Sequence, residues 1–162
     1  MTDLDLYVDA LVSGQVLGVA AGATDDEVAR ALGADFLDDV GKKRMRRDYG
    51  LVELYFQREG GEWRCAGITL QVHRLTEVGV DMVPAPLAAR YGAFRPVVPF
   101  GAVADAVRAG GRELALRSVT ADFGQFLLPG TGSHLTAARV PADDDAAEPV
   151  FSEVWSIELR RA

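Results

Sequence analysis

The chain has 162 residues, with 17 Lys and Arg against 24 Asp and Glu, a formal net charge of -7, two histidines and one cysteine. That balance argues against a nucleic-acid binder, which needs clustered excess cations. One cysteine excludes an internal disulfide framework, and Cys65 with His73 and His134 makes a poor zinc inventory. With 49% hydrophobic and 25% charged residues the composition is that of a globular domain.

Leu4, Tyr7, Val8, Leu11 and Val12 stand at helical spacing opposite Asp3, Asp5 and Asp9, which predicts a helix over Thr2–Ser13. This acidic start has neither the basic beginning nor the apolar stretch of a signal peptide, and no run reaches the roughly 20 apolar residues of a membrane helix. The expected setting is therefore cytoplasmic, with Cys65 a free thiol. Thr24-Asp25-Asp26-Glu27 has the form of a capping box, Val28, Ala31 and Leu32 supply the buried stripe, and Gly33 stops this second helix.

After a loop with Asp38, Asp39 and Gly41 the hydrophobic period changes to two. Lys43–Tyr49 and Leu51–Gln57 read as strands, Arg58–Glu62 as a hairpin turn, and Trp63–Arg74 as a long strand. Ala66, Ile68, Leu70 and Val72 then fall on one face, and Trp63, Cys65, Thr69, Gln71 and His73 on the other. Pro84, Pro86, Pro96 and Pro99 punctuate a connection that carries a short helix, Pro86–Tyr91. Phe100–Ala109 is the next helix, stopped by Gly110-Gly111. Strands follow at Glu113–Thr120, Phe123–Leu128, His134–Val140 and Val150–Arg160, with acidic Pro141–Pro149 expected as a mobile hairpin loop.

Two internal matches suggest a diverged repeat. Val28–Leu32 matches Val103–Val107 at an offset of 75, and Asp48-Tyr49-Gly50 matches Asp122-Phe123-Gly124 at 74. The expected fold class is α+β: two tandem units, 1–78 and 79–162, within one compact domain. Each has a helix pair on an antiparallel sheet, and the two sheets can join into one.

The segment Gly22–Val28, closing on Leu32-Gly33 ahead of strands, is similar to the repeat unit of the β-lactamase inhibitor protein fold. It also looks like the small outer-membrane assembly lipoproteins of the SmpA/BamE kind. Arg46–Glu53 with Gln71–Arg74 resembles small uncharacterised actinobacterial proteins of the toxin-immunity type. These resemblances imply tandem αβ units and a role in occluding a toxin or enzyme. They carry over no functional residue.

Each reactive side chain has a plain structural alternative. Cys65 and His73, eight positions apart on one strand, would be about 26 Å apart and form no dyad. Asp38-Asp39 and Asp143-Asp144-Asp145 lack the ligand spacing of a calcium loop and read as solvated acids. Gly130–His134 has no phosphate-loop lysine and reads as a turn. Within the basic run Lys42–Arg47, Arg46 and Arg47 are expected to pair with Asp38, Asp39 or Glu53, not with RNA. Phe151, Trp155, Ile157 and Leu159 are expected in the core.

What remains is Glu53, Tyr55, Trp63, Thr69, Gln71 and His73 on the non-core face of the first hairpin. Amphipathic aromatics among polar groups suit a protein-binding surface. The same face packed between the two units is the structural alternative. The expected function is accordingly a non-enzymatic protein-binding module, without metal or cofactor. Its most concrete form is an immunity or inhibitor protein acting on a basic toxin or enzyme. Charge motivates that target, because positions 1–80 carry 9 basic against 14 acidic residues and positions 81–162 carry 8 against 10. The competing expectation is an enzymatic or small-molecule site between the units, lined by Tyr55, Trp63, His73 and Arg74.

Overall fold

The computed structural model describes residues 1–142 and 147–161. The described residues form α1 (Asp3–Ser13), α2 (Asp25–Leu32), β1 (Leu37–Val40), β2 (Arg44–Asp48), β3 (Val52–Glu59) and β4 (Glu62–Leu70). Then come α3 (Arg74–Glu77), a 3-10 turn at Val80–Met82, α4 (Ala85–Tyr91), α5 (Phe100–Ala109), β5 (Ala115–Val119), β6 (Phe123–Leu127), β7 (Ser133–Arg139) and β8 (Phe151–Leu159). All eight strands join one antiparallel sheet in the order β1-β2-β3-β4-β8-β7-β6-β5. The class is α+β. The two four-strand runs meet where β4 pairs β8 through Ile68–Leu159, Thr69–Glu158 and Leu70–Ile157.

The helices form where local chemistry asks for them. Thr24 and Glu27 complete a reciprocal cap at α2, at 2.9 and 3.2 Å, and at α1 the Asp5 carboxylate accepts from the Thr2 backbone N–H at 2.6 Å. The buried stripe of α1 is Asp3, Leu6, Tyr7, Ala10 and Leu11, a spacing of three and four. It differs from the expected stripe at both ends. Val12 is exposed, and Asp3 turns inward because Arg95 meets it with Nε at 2.9 Å and Nη2 at 3.0 Å, while the Arg95 backbone N–H donates at 3.0 Å. Burial alone would raise the Asp3 carboxyl; the Arg95 bonds and charge outweigh it and hold it below the ordinary value.

One core lies between the helices and one face of the sheet. Leu6, Leu11, Val28, Leu32, Leu87, Val103 and Val107 meet Leu54, Phe56, Ile68, Leu70, Leu135 and Ile157 there. Among the described residues no helix is long and apolar enough to cross a membrane.

Three elements differ from the sequence expectation. Leu37–Val40, expected as loop, is the edge strand β1, exposed along its whole length. Gln71–Arg74, expected as strand, leaves the sheet: the Gln71 N–H turns to Leu51 O at 2.7 Å and Arg74 begins α3. The Asp48-Tyr49-Gly50 match also falls at a different point from its partner. Asp48 ends β2, whereas Asp122 precedes β6 and Phe123 opens it. Val28 and Val103, by contrast, are each wholly buried on the helix ahead of a four-strand run. Asp143-Asp144-Asp145 lies outside the described residues.

Candidate functional site

Strand register assigns the second face of the sheet. Met45, Phe56 and Cys65 pair toward the core, as do Leu54 with Ile68 and Val52 with Leu70. The alternate positions therefore point away from the helices. One cross-strand row runs Asp48, Glu53, Thr69, Glu158, His134 and Leu127 from β2 through β6. Beside it lie Arg46–Tyr55–Gly67 on one side and Ser156–Thr136–Gln125 on the other. Among the described residues no helix covers the Tyr55 side of this row: Arg44, Arg46, Tyr55, Gln57 and Ala66 are all exposed.

Glu53 anchors the face. Its carboxylate, 2% exposed, accepts from Arg74 Nη2 at 2.8 Å and from the Tyr55 hydroxyl, with Arg46 at 4.0 Å. Arg74 also donates to Asp48 at 3.1 and 3.2 Å and to Gly50 O at 3.0 Å. Burial would push the Glu53 carboxyl up; the Tyr55 and Arg74 bonds, with the Arg74 and Arg46 charges, reverse that and hold it below its ordinary value. The same contact works the other way on Tyr55. Burial first, then the Glu53 bond and charge, push its phenol to about 12. At neutral pH the pair is a carboxylate and a phenol, suited to holding a surface and not to exchanging protons.

Two of the six predicted residues lie elsewhere. The register shifts between Tyr55 and Phe56, so Phe56 pairs Cys65 and Ala66 becomes the extra residue of a β-bulge. Everything before Ala66 changes side. Trp63 therefore lies on the core side, half-buried against the core, with the Arg58 guanidinium 5.2 Å from its ring centre. Cys65 faces the core, where burial raises its thiol to about 11. His73 lies beyond the end of β4 and stacks on Trp155, with centroids 4.5 Å apart and planes 4° from parallel; its backbone N–H donates to Trp155 O at 2.9 Å. Glu53, Tyr55, Thr69 and Gln71 do come together: Tyr55, Thr69 and Gln71 line one shallow depression of about 290 Å³ with Ser156, Glu158 and Arg160.

Trp155 corrects the expectation of a core residue. A second register shift, in the β7–β8 pairing, leaves it unpaired, and it meets His73 and Phe123 instead. Glu158, His134 and Thr136 are further face residues that the sequence reading missed, and Arg74, expected in a site between the units, bonds to Glu53 of this face. Polar alternation in Ser133–Arg139 was the available signal for His134 and Thr136. The expected pairing of the basic run is present: Arg47 makes a two-pronged bond to Asp38 at 2.8 and 3.0 Å and lies under Phe36, and Arg46 approaches Glu53. Of the residues expected to line an inter-unit pocket, Tyr55 and Arg74 meet at Glu53, whereas Trp63 lies on the other side of the sheet. Among the described residues no three His, Cys, Asp or Glu side chains converge.

No family model matches this chain, and no curated protein or solved structure matches it.

Proposed function

We propose that the chain is a non-enzymatic binding module that docks the open face of its sheet onto a protein partner and occludes it. The inhibitor and immunity proteins that the sequence resembles supply the model. The observation that carries this reading is the asymmetry of the sheet. One face is buried under helices, and the other presents Tyr55, 43% exposed, on a rigid polar ladder. An aromatic held by Glu53 loses little freedom on contact, and the half-buried Thr69 and Ser156 that share its depression offer hydrogen bonds that fix register.

A photo-crosslinking residue in place of Tyr55, and separately in place of Asp26 on α2, tests this in native lysate. The expected result is a protein adduct from position 55 that is absent from position 26 and abolished by Thr69→Arg. Equal adducts from both positions, or none from position 55, would refute docking through this face.

A further inference from the structure

We infer that the open face takes an acidic protein segment, a loop or extended strand bearing carboxylates, at its corner around Tyr55; this rests on the docking proposed above and names the chemistry of the partner. Part of the chain's negative charge lies elsewhere or is already paired. Asp5, Asp9, Asp26 and Glu27 ride the helices on the opposite side, Asp3 is paired with Arg95, and Glu53 and Asp48 share Arg74.

Three adjoining depressions, of about 510, 290 and 590 Å³, meet at Tyr55, Gln57 and Ala66. Arg44, Arg46, Arg64, Arg160 and Arg161 line them, against Asp39, Glu59 and Glu158. Lys42 and Lys43 adjoin in the β1–β2 turn, both exposed. A chain of net charge -7 thus gathers seven of its 17 cations at this corner. Arg44 makes no ion pair among the described residues, and Arg46 is half exposed with its nearest carboxylate at 4.0 Å. Arg64 and Arg160 meet Glu62 and Glu158 at 2.7 and 2.6 Å, in exposed pairs that a stronger partner carboxylate can compete with.

The bulge adds the second element. Ala66 and Gly67 present little side chain beside the Tyr55 ring, which leaves backbone and one aromatic face for an apolar residue between the acids. A nucleic acid fits less well. Its phosphates extend beyond the corner into the field of a net-acidic protein, whereas a short acidic segment confines its charge to the arginines.

The test uses the full chain and three fluorescent probes of equal length. These are a peptide alternating Glu or Asp with Leu and Phe, the same peptide with Lys for each acid, and a single-stranded DNA. The acidic peptide is expected to bind at least about tenfold more tightly than the other two at low salt, and to weaken as salt rises. Arg44→Ala with Arg46→Ala should weaken it about tenfold, two exposed charge contacts at about threefold each, while Arg108→Ala on α5 leaves it unchanged. Both arginines are exposed, so an unaltered circular-dichroism melt excludes unfolding as the cause. Preference for the lysine peptide, lost on Tyr55→Ala, would overturn the acidic chemistry and leave the docking face standing. Arginine-dependent preference for DNA would overturn it in favour of nucleic acid. Binding indifferent to both Tyr55→Ala and the arginine pair would overturn the acidic site and count against the face itself.

Discussion

Replacing Glu53 by Gln removes one negative charge and almost no volume from the most buried polar position of the open face. The carboxylate holds two charge-assisted bonds, from Arg74 and Tyr55. Such bonds contribute about 1.5–3 kcal/mol each, and neutral ones about half that. The difference over two bonds is about 2–3 kcal/mol. Arg74 is not orphaned, because Asp48 and Gly50 O still accept from it, so the cost should fall below the 3–5 kcal/mol of a broken buried pair. We expect Glu53→Gln to lose about 2 kcal/mol in urea unfolding with an unchanged slope, and about 4–8 °C in Tm for a domain of this size. The pH dependence fixes the sign. The folded carboxyl lies below the ordinary 4.5, so its contribution is complete above that value and disappears as pH falls through the folded one. The gap between wild type and Glu53→Gln should therefore be constant at neutral pH and close in acid. A variant within about 0.5 kcal/mol of wild type at neutral pH, or a gap that persists undiminished in acid, would refute the network.

Three further outcomes follow from burial and backbone geometry. All four tyrosines are held above their ordinary value of 10, first by burial, so an ultraviolet titration of the native protein should show none ionising below 10; a tyrosine doing so would contradict the packing. Cys65, raised to about 11, should be about 0.1% thiolate at pH 8 and label at least a hundredfold faster in urea than in the native state; comparable rates would place the thiol at the surface. Gly50 has φ +89°, and a Cβ there would lie 2.4 Å from Met82 O, so Gly50→Ala should lose about 2–4 kcal/mol by thermal melt; a loss under about 0.5 kcal/mol would show that the turn accommodates a side chain.

The helices were legible because caps and spacing are local. Phe100–Ala109 has the bounds read from its stripe and its glycines, and the Thr24 cap needs no information beyond four residues. The face was legible only as far as its pleat is regular. Alternation places Glu53, Tyr55 and Thr69 together, but a bulge at Ala66 moves Trp63 and Cys65 to the other side, and the shift at Trp155 brings that ring out to His73. A period of two cannot register an extra residue. β1 escaped because four residues with two acids at their centre carry no apolar pattern; its pairing is decided by β2 and by the Arg47–Asp38 bond. Arg74 and Asp48, 26 positions apart, meet only through the fold.

The position of β8 governs how the chain is made. β4 is complete by Leu70, but its neighbour in the sheet begins only at Phe151. About 80 residues separate them, or about 4–16 s of ribosomal synthesis. During that interval the first four strands present an unpaired edge flanked by Ile68 and Leu70, a template for strand exchange or aggregation. β7 in turn cannot join them, because β8 lies between. The strand that emerges last of the eight is the one that unites the sheet, so an interruption of translation at β8 leaves two half-sheets with no seam between them.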